Sequence, residues 1–201
     1  MPKIIDHQQR KDQIAEAAWR IIRSQGLESV SVRNVAEEAG LSVGSLRHDF
    51  ETQSELIVYA MTLLSSRVHE RIANLSYAGS PRNHIETIIA ELLPLDDVRT
   101  AEAEIWFAYA GKALTDPAIR QISQQTHEEL YVGFRKMIGL LVRENLTRKD
   151  LDQEAETRRL HALVDGLVLH ALTSPDKSNP QDMVRLVSLH LDELIVRGSG
   201  S

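Results

Sequence analysis

The chain has 201 residues, no cysteine and a formal net charge of −6 at pH 7. This length suits one large domain, or a small domain beside a larger one, and can bury a core. The absence of cysteine excludes a disulfide scaffold, thiolate metal sites and a cysteine nucleophile. No apolar run approaches the ~18 residues of a membrane span, and the start lacks a signal peptide, so we expect a cytoplasmic protein without membrane contact. Net acidity alone argues against nucleic-acid binding.

Apolar residues recur at helical spacing along most of the chain. In the first segment, positions i, i+3, i+4, i+7 and i+8 form an apolar stripe from Ile14 to Ile22. Glycine and proline end or open the segments, as at Gly26 and Asp116-Pro117. Predicted helices cover residues 7–25, 32–39, 43–48, 53–73, 81–93, 98–114, 117–145 and 153–173, and a last helix opens at Asn179-Pro180. The sequence therefore predicts an all-α fold of about nine helices.

Two short predicted helices joined by Gly40-Leu41-Ser42 have the length and turn of a helix-turn-helix. Ser31 and Ser42 are hydroxyl N-caps for these helices, and Gly40 can take the positive φ of the turn. Small or polar residues are expected to face outward from the second helix, as entry into the major groove requires. Ser31 and Arg33 lie where free backbone N–H groups favour a phosphate. Such a two-helix element also occurs in proteins that do not bind DNA.

The ordered segment from Ser31 to Phe50, with Ser54-Glu55-Leu56 beyond it, resembles the DNA-binding signature of the tetracycline-repressor (TetR) family. Further along, Trp106-Phe107-Ala108, Asp116-Pro117 and Leu163-Val164-Asp165-Gly166-Leu167 resemble the C-terminal domain of the BetI-like subgroup. The resemblance implies a homodimeric, ligand-responsive transcriptional regulator, usually a repressor. Its head would bind a palindromic operator in double-stranded DNA, and a small-molecule effector would release it. No cofactor and no enzymatic activity are implied.

On this basis residues 1–53 are predicted to form the helix-turn-helix domain and residues 54–197 the effector-binding and dimerisation domain. Residues 198–201 are predicted to be a flexible tail. The predicted DNA-binding residues are Ser31, Arg33, Ser42, Val43, Gly44, Ser45, Arg47, His48, Asp49 and Gln53.

This sequence departs from the family pattern at four of those positions. Arg47 stands where many members have an aromatic residue, and members often carry cations at the positions of Val43 and Gln53. Asp49 brings a carboxylate near the DNA; we expect it to orient Arg47 or His48, or to accept a hydrogen bond from a cytosine amino group. The departures leave a second hypothesis open: a helical small-molecule-binding module with a TetR-like fold that has lost or weakened DNA binding.

Aromatic residues are concentrated on two neighbouring predicted helices, in a chain with only 4% aromatics. One interpretation is a ligand pocket lined by rings, with His127 or Tyr131 as polar anchors; the other is ordinary core. The predicted ligand-binding residues are Met61, Trp106, Tyr109, His127, Tyr131 and Phe134. Rings can cage a cationic ligand, but an apolar effector would suit equally well.

The last two predicted helices are apolar on more than one face and must be covered on several sides. They could pack on a second copy as an isologous four-helix bundle, or be buried within one subunit. The predicted dimer-interface residues are Leu160, Leu163, Val164, Leu167, Val168, Ala171, Val187, Leu191 and Leu194.

The eight histidines show none of the spacings typical of a metal site, and we predict none. His161 and Asp165, at i and i+4, are expected to form hydrogen bonds. No catalytic motif is present in the sequence. Residues 1–50 contain seven Lys or Arg and seven Asp or Glu, so the head is neutral and the acidity lies beyond it. DNA binding is thus expected to depend on few cations, on helix N-termini and on dimerisation.

Overall fold

The computed structural model describes residues 7–76 and 79–196, and within them the chain forms nine α-helices. They are α1 (His7–Gln25), α2 (Val32–Glu38), α3 (Val43–Asp49), α4 (Gln53–Ala73), α5 (Pro81–Ala90), α6 (Asp97–Ala113), α7 (Pro117–Arg143), α8 (Gln153–Thr173) and α9 (Pro180–Leu194). Short 3₁₀ turns occupy Leu27–Ser29 and Pro175–Lys177. The predicted all-α class is confirmed. The predicted tail, residues 198–201, lies outside the described residues.

Helix α5 ends at Ala90, three residues before its predicted end. The ring of Pro94 would clash with the carbonyl four residues earlier in a continued helix, which is the carbonyl of Ala90. That oxygen instead accepts a hydrogen bond from Arg99 Nη1 at 2.8 Å. The proline therefore both stops the helix and leaves a carbonyl that a side chain satisfies.

The chain divides into two compact units. Unit 1 combines the described residues up to His69 with residues 104–125. Its core joins apolar side chains of α1 to those of Leu46, Leu56, Met61 and Tyr109, all at most 1% exposed. Packing thus extends this unit past residue 53, where the sequence predicts the end of the head, because the apolar face of α4 belongs to the same core as α1.

Unit 2 comprises the described residues of the ranges 70–103 and 126–196. Within it, α9 lies against α5 and α8. Buried side chains include Ile89 of α5, Leu160 of α8 and Leu191 of α9, each 0% exposed. Arg82 on α5 also bonds to Ser188 Oγ of α9 at 2.6 Å. None of the described helices is both long and apolar enough to cross a membrane.

Candidate nucleic-acid interface and ligand-binding residues

The N-termini of α2 and α3 are both fixed by serine caps. Ser31 Oγ accepts the backbone N–H of Asn34 at 3.1 Å, and Ser42 Oγ accepts that of Ser45 at 3.1 Å. Between the helices Gly40 has φ 68°, a conformation that favours glycine. Leu41 closes the turn by donating its N–H to Ala36 O at 2.8 Å. These contacts orient the second helix of the motif.

One face of α3 is open to solvent and carries small or polar groups. Val43, Gly44, Arg47 and His48 are exposed, whereas Leu46 on the opposite face is 0% exposed. Nothing lies within 4 Å of a Cβ placed on Gly44, so DNA could approach its backbone closely. The face has the polarity and size that a major-groove helix needs.

The Asp49 side chain is turned away from this face, contrary to the expectation that it contacts DNA. The alternative expectation, that it orients Arg47 or His48, stays a prediction. The Asp49 side chain is 1% exposed, and Oδ2 accepts a hydrogen bond from Arg10 Nε of α1 at 2.7 Å. Arg10 Nη2 also donates to Ser45 Oγ at 2.6 Å. The carboxylate is therefore neutralised inside the head by an ion pair that links α3 to α1. Half-buried Ser45 bonds to the same arginine.

Two arginines of the head remain available to DNA. Arg33 and Arg47 are exposed, and in the described part of the chain neither forms an ion pair. By contrast, Arg20 pairs with Glu38, and Lys11 lies over the Phe50 ring at 5.4 Å. Gln53 is exposed, but its Nε2 donates to the carbonyl of Val30, so that side chain is already engaged.

The six predicted ligand-binding residues fall into two groups of three. Met61, Trp106 and Tyr109 lie in unit 1, where Met61 and Tyr109 share the buried core and Trp106 packs against it. The Tyr109 hydroxyl is buried and has no hydrogen-bond partner in the described structure. Burial holds the pKa of Tyr109 well above its usual range, so the phenol stays protonated. A buried O–H without an acceptor is a donor that a bound molecule could satisfy.

His127, Tyr131 and Phe134 form the other group, in unit 2. His127 and Tyr131 line a pocket of about 400 Å³, while Phe134 is 1% exposed and stacks on His161 at 4.7 Å between ring centroids. Tyr131 donates its hydroxyl to Glu154, which raises the pKa of Tyr131. The full lining is His127, Glu128, Tyr131, Glu154, Arg158, His161, Ala162 and Asp165.

Sequence reasoning did not predict most of this pocket. The spacing of His161 and Asp165 was a signal for two of its residues, but it gave them only a local role. Glu154 and Arg158 gave no such signal, because charged residues at i and i+4 are typical of any solvated helix face.

Most of the predicted interface residues are covered within the protomer. Leu167 and Leu194, at 8% and 5% exposed, are typical of seven that are buried; the others are Leu160, Val164, Val168, Val187 and Leu191. Leu163 and Ala171 are half-buried. The exposed large apolar residues of α8 and α9 are instead Leu169, Val184, Leu186 and Leu189. Dimerisation through these helices stays a prediction, with a different set of side chains free to contact a second copy.

Comparison with known proteins matches both parts of the chain to families of regulators. The family described as "Bacterial regulatory proteins, tetR family" matches residues 14–60, and "BetI-type transcriptional repressor, C-terminal" matches residues 81–196. The HTH-type transcriptional regulator PksA of Bacillus subtilis (strain 168) is 38% identical over 197 residues, which cover 98% of this chain and 95% of PksA.

Solved structures share the fold. A transcriptional regulator from Rhodococcus sp. Rha1 aligns with a TM-score of 0.80 at 29% identity and covers 92% of this chain and 95% of its own. A regulator from Saccharomonospora viridis, solved in complex with choline, aligns with a TM-score of 0.81 at 20% identity and covers 94% and 100%.

The chain belongs to the TetR family of transcriptional regulators, with a helix-turn-helix DNA-binding domain and a BetI-type repressor C-terminal domain. The resemblance drawn from the sequence is confirmed.

Proposed function

We propose that this regulator is a repressor that binds a palindromic operator as a homodimer and leaves it when a small molecule binds. The observation that carries the DNA-binding part is the solvent-open face of α3, with Arg47 and His48 exposed and Asp49 turned away into an ion pair with Arg10. A helix with such a face can enter the major groove, while the capped N-terminus of α2, beside Arg33, suits a phosphate. Binding DNA places its site of action in the cytoplasm.

The second hypothesis, a TetR-like module without DNA binding, loses its main support. That support was the carboxylate of Asp49 at the DNA surface, where it would be repelled by phosphates. Because the Asp49 side chain is 1% exposed and paired with Arg10, its charge does not oppose the duplex. The absent cations at Val43 and Gln53 still predict modest phosphate contact.

For the effector we propose a small molecule that brings a hydrogen-bond acceptor to Tyr109, beside Trp106 and Met61. The buried, partnerless hydroxyl of Tyr109 supports this assignment, as an unsatisfied donor of this kind costs about 1–3 kcal/mol that a ligand acceptor would recover. Trp106 supplies an aromatic ring against the same core. The regulator from Saccharomonospora viridis, which has the same fold, was solved in complex with a small molecule, choline.

Release follows from a shift between two arrangements of the paired heads. The effector would favour a spacing that no longer spans successive major grooves of the operator. Only three residues separate the end of the recognition helix α3 from the start of α4, and we propose that α4 transmits the change.

The test is fluorescence anisotropy with labelled DNA from the region upstream of the regulator's own gene, at two salt concentrations. We expect specific binding that weakens as salt rises, with a modest slope because few cations of the head contact phosphates. Arg47→Ala should weaken it by about 1–3 kcal/mol per half-site and lower the salt slope by about 1 per subunit if Arg47 contacts a phosphate.

Arg148→Ala is the matched control, since Arg148 is an exposed arginine of unit 2 outside the helix-turn-helix. The variant should bind the operator as tightly as the parent does. Absence of specific binding at low salt would favour the module without DNA affinity. Parental affinity in Arg47→Ala would overturn the role of that residue.

A further inference from the structure

A group of three side chains with metal-binding chemistry lies in the pocket of unit 2. His127 is on α7, and His161 and Asp165 are one turn apart on α8. One ligand atom from each residue lies within 4.8 Å of those of the other two. The group joins two imidazoles and a carboxylate beside a pocket of about 400 Å³.

The buried member of this group has a ring nitrogen with no hydrogen-bond partner. His161 is 4% exposed, and its Nε2 is buried without a partner in the described structure. Asp165 Oδ2 is the carboxylate oxygen nearest to it, at 3.6 Å, which is too far for a hydrogen bond. A buried polar atom of this kind requires an explanation, and a bound ion is one.

The position of His161 is also fixed by its neighbours. Its ring stacks on that of His127, at 4.6 Å between centroids, and on that of Phe134, at 4.7 Å. A ring held in one plane by two neighbours presents its unpartnered nitrogen in a fixed direction, as a metal ligand requires.

We propose that His127, His161 and Asp165 bind a divalent first-row transition-metal ion such as Zn²⁺. Two imidazoles with one carboxylate form the ligand set of open zinc sites, whereas Mg²⁺ and Ca²⁺ prefer oxygen ligands alone. Zinc–ligand bonds are about 2.0–2.2 Å long, so binding draws the ligand atoms closer together. The exposed side chains of His127 and Asp165 can make that movement, and the pocket that all three residues line leaves room for water as a further ligand.

This proposal replaces the prediction from the sequence that no metal is bound. A second group of similar composition, His7, His48 and Asp49, carries no such proposal. There the carboxylate of Asp49 already accepts a hydrogen bond from Arg10 and is buried by it. In the group of unit 2, by contrast, the Asp165 carboxylate forms no ion pair with a lysine or arginine among the described residues.

The test measures zinc binding to the tag-free, chelator-treated full-length chain by titration calorimetry, with the thermal unfolding midpoint as a second readout. We expect one zinc per chain and a rise in Tm, because an ion that binds only the folded state stabilises it. Co²⁺ bound at the same site should give visible d–d absorption. No operator DNA is needed, so the result is independent of the proposed repressor function.

The decisive variants are His127→Ala and Asp165→Asn, since both residues are exposed and their replacement leaves the core intact. Each should bind zinc more than about 100-fold more weakly, beyond the roughly 10–100-fold that losing an outer-shell partner costs, and lose the zinc-dependent rise in Tm. His170→Ala, an exposed histidine on the same helix, should bind as the parent does. Parental affinity in His127→Ala, or no saturable zinc binding by the parent, would overturn the proposal.

Discussion

The carboxylate of Asp49 determines how the recognition surface of the head is charged. If the carboxylate faced outward, it would repel the DNA phosphates, and if it were buried without a partner, its desolvation would be costly. Arg10 prevents both outcomes, because its guanidinium lies 2.7 Å from the buried carboxylate and also donates to Ser45 Oγ. The residue is therefore a structural link between α1 and α3, and its effect on DNA binding is indirect.

Asp49→Ala is expected to lower the free energy of unfolding by about 1.5–3 kcal/mol, the usual range for hydrogen bonds to charged groups. Urea unfolding of Asp49→Ala, Arg10→Ala and the double variant measures this. The double variant should lose less than the sum of the two single losses, because both single variants remove the same contact. An Asp49→Ala variant with parental stability and tighter operator binding would show that the carboxylate faces DNA after all.

At the scale of elements, α3 is a helix of only seven residues, too short to be stable by itself in water. It is held by the packing of Leu46, which is 0% exposed, and by the N-cap of Ser42. The same serine lies at the helix terminus that the sequence predicts to face DNA. Helix stability and the predicted DNA contact therefore depend on the same hydroxyl.

Two substitutions at Ser42 separate these effects. Ser42→Ala removes the cap and should destabilise the head by about 1 kcal/mol, as measured by urea unfolding. Ser42→Asp keeps a capping acceptor and should retain parental stability, yet weaken operator binding because it adds an anion near the phosphates. If Ser42→Asp bound the operator as tightly as the parent, Ser42 would lie away from the DNA.

At the scale of the whole molecule, the apolar residues of α8 and α9 divide into a buried set and an exposed set. Most are buried within the protomer, as with Leu160 and Leu191 at 0% exposed. The exposed set includes Leu186 and Leu189 of α9, whose side chains are 45% and 47% exposed. These two leucines, at i and i+3, lie on one face of the helix. The palindromic operator proposed above would need a twofold protein, and these exposed leucines are candidates for the contact between its two copies.

If the proposed homodimer forms through this face, Leu189→Glu should convert it to monomers at micromolar concentration, because the substitution places a charge among apolar side chains. Light scattering after gel filtration gives the mass, and circular dichroism checks the helix content. Val98→Glu is the matched control, since Val98 of α6 is an exposed apolar residue outside α8 and α9, at 64%; it should stay dimeric. A Leu189→Glu variant that remains a dimer would contradict an interface at this face.

The sequence by itself determined the helices, their caps and the family. These depend on local signals: apolar spacing sets a helix face, Ser31 and Ser42 satisfy N–H groups three residues away, and a glycine takes the turn. The stop at Ala90 differs from prediction only because a proline acts on a carbonyl four residues earlier.

Only the tertiary structure decided what covers each face. Residue spacing places Asp49 on the recognition helix, but it does not show that Arg10 pairs with it. It places Leu160 on an apolar stripe, but it does not show that the same protomer buries that side chain. It placed His161 and Asp165 one turn apart, while the third residue of the group, His127, comes from another helix. Helical periodicity defines a face within one element, and the neighbour of that face depends on contacts between residues far apart in the chain.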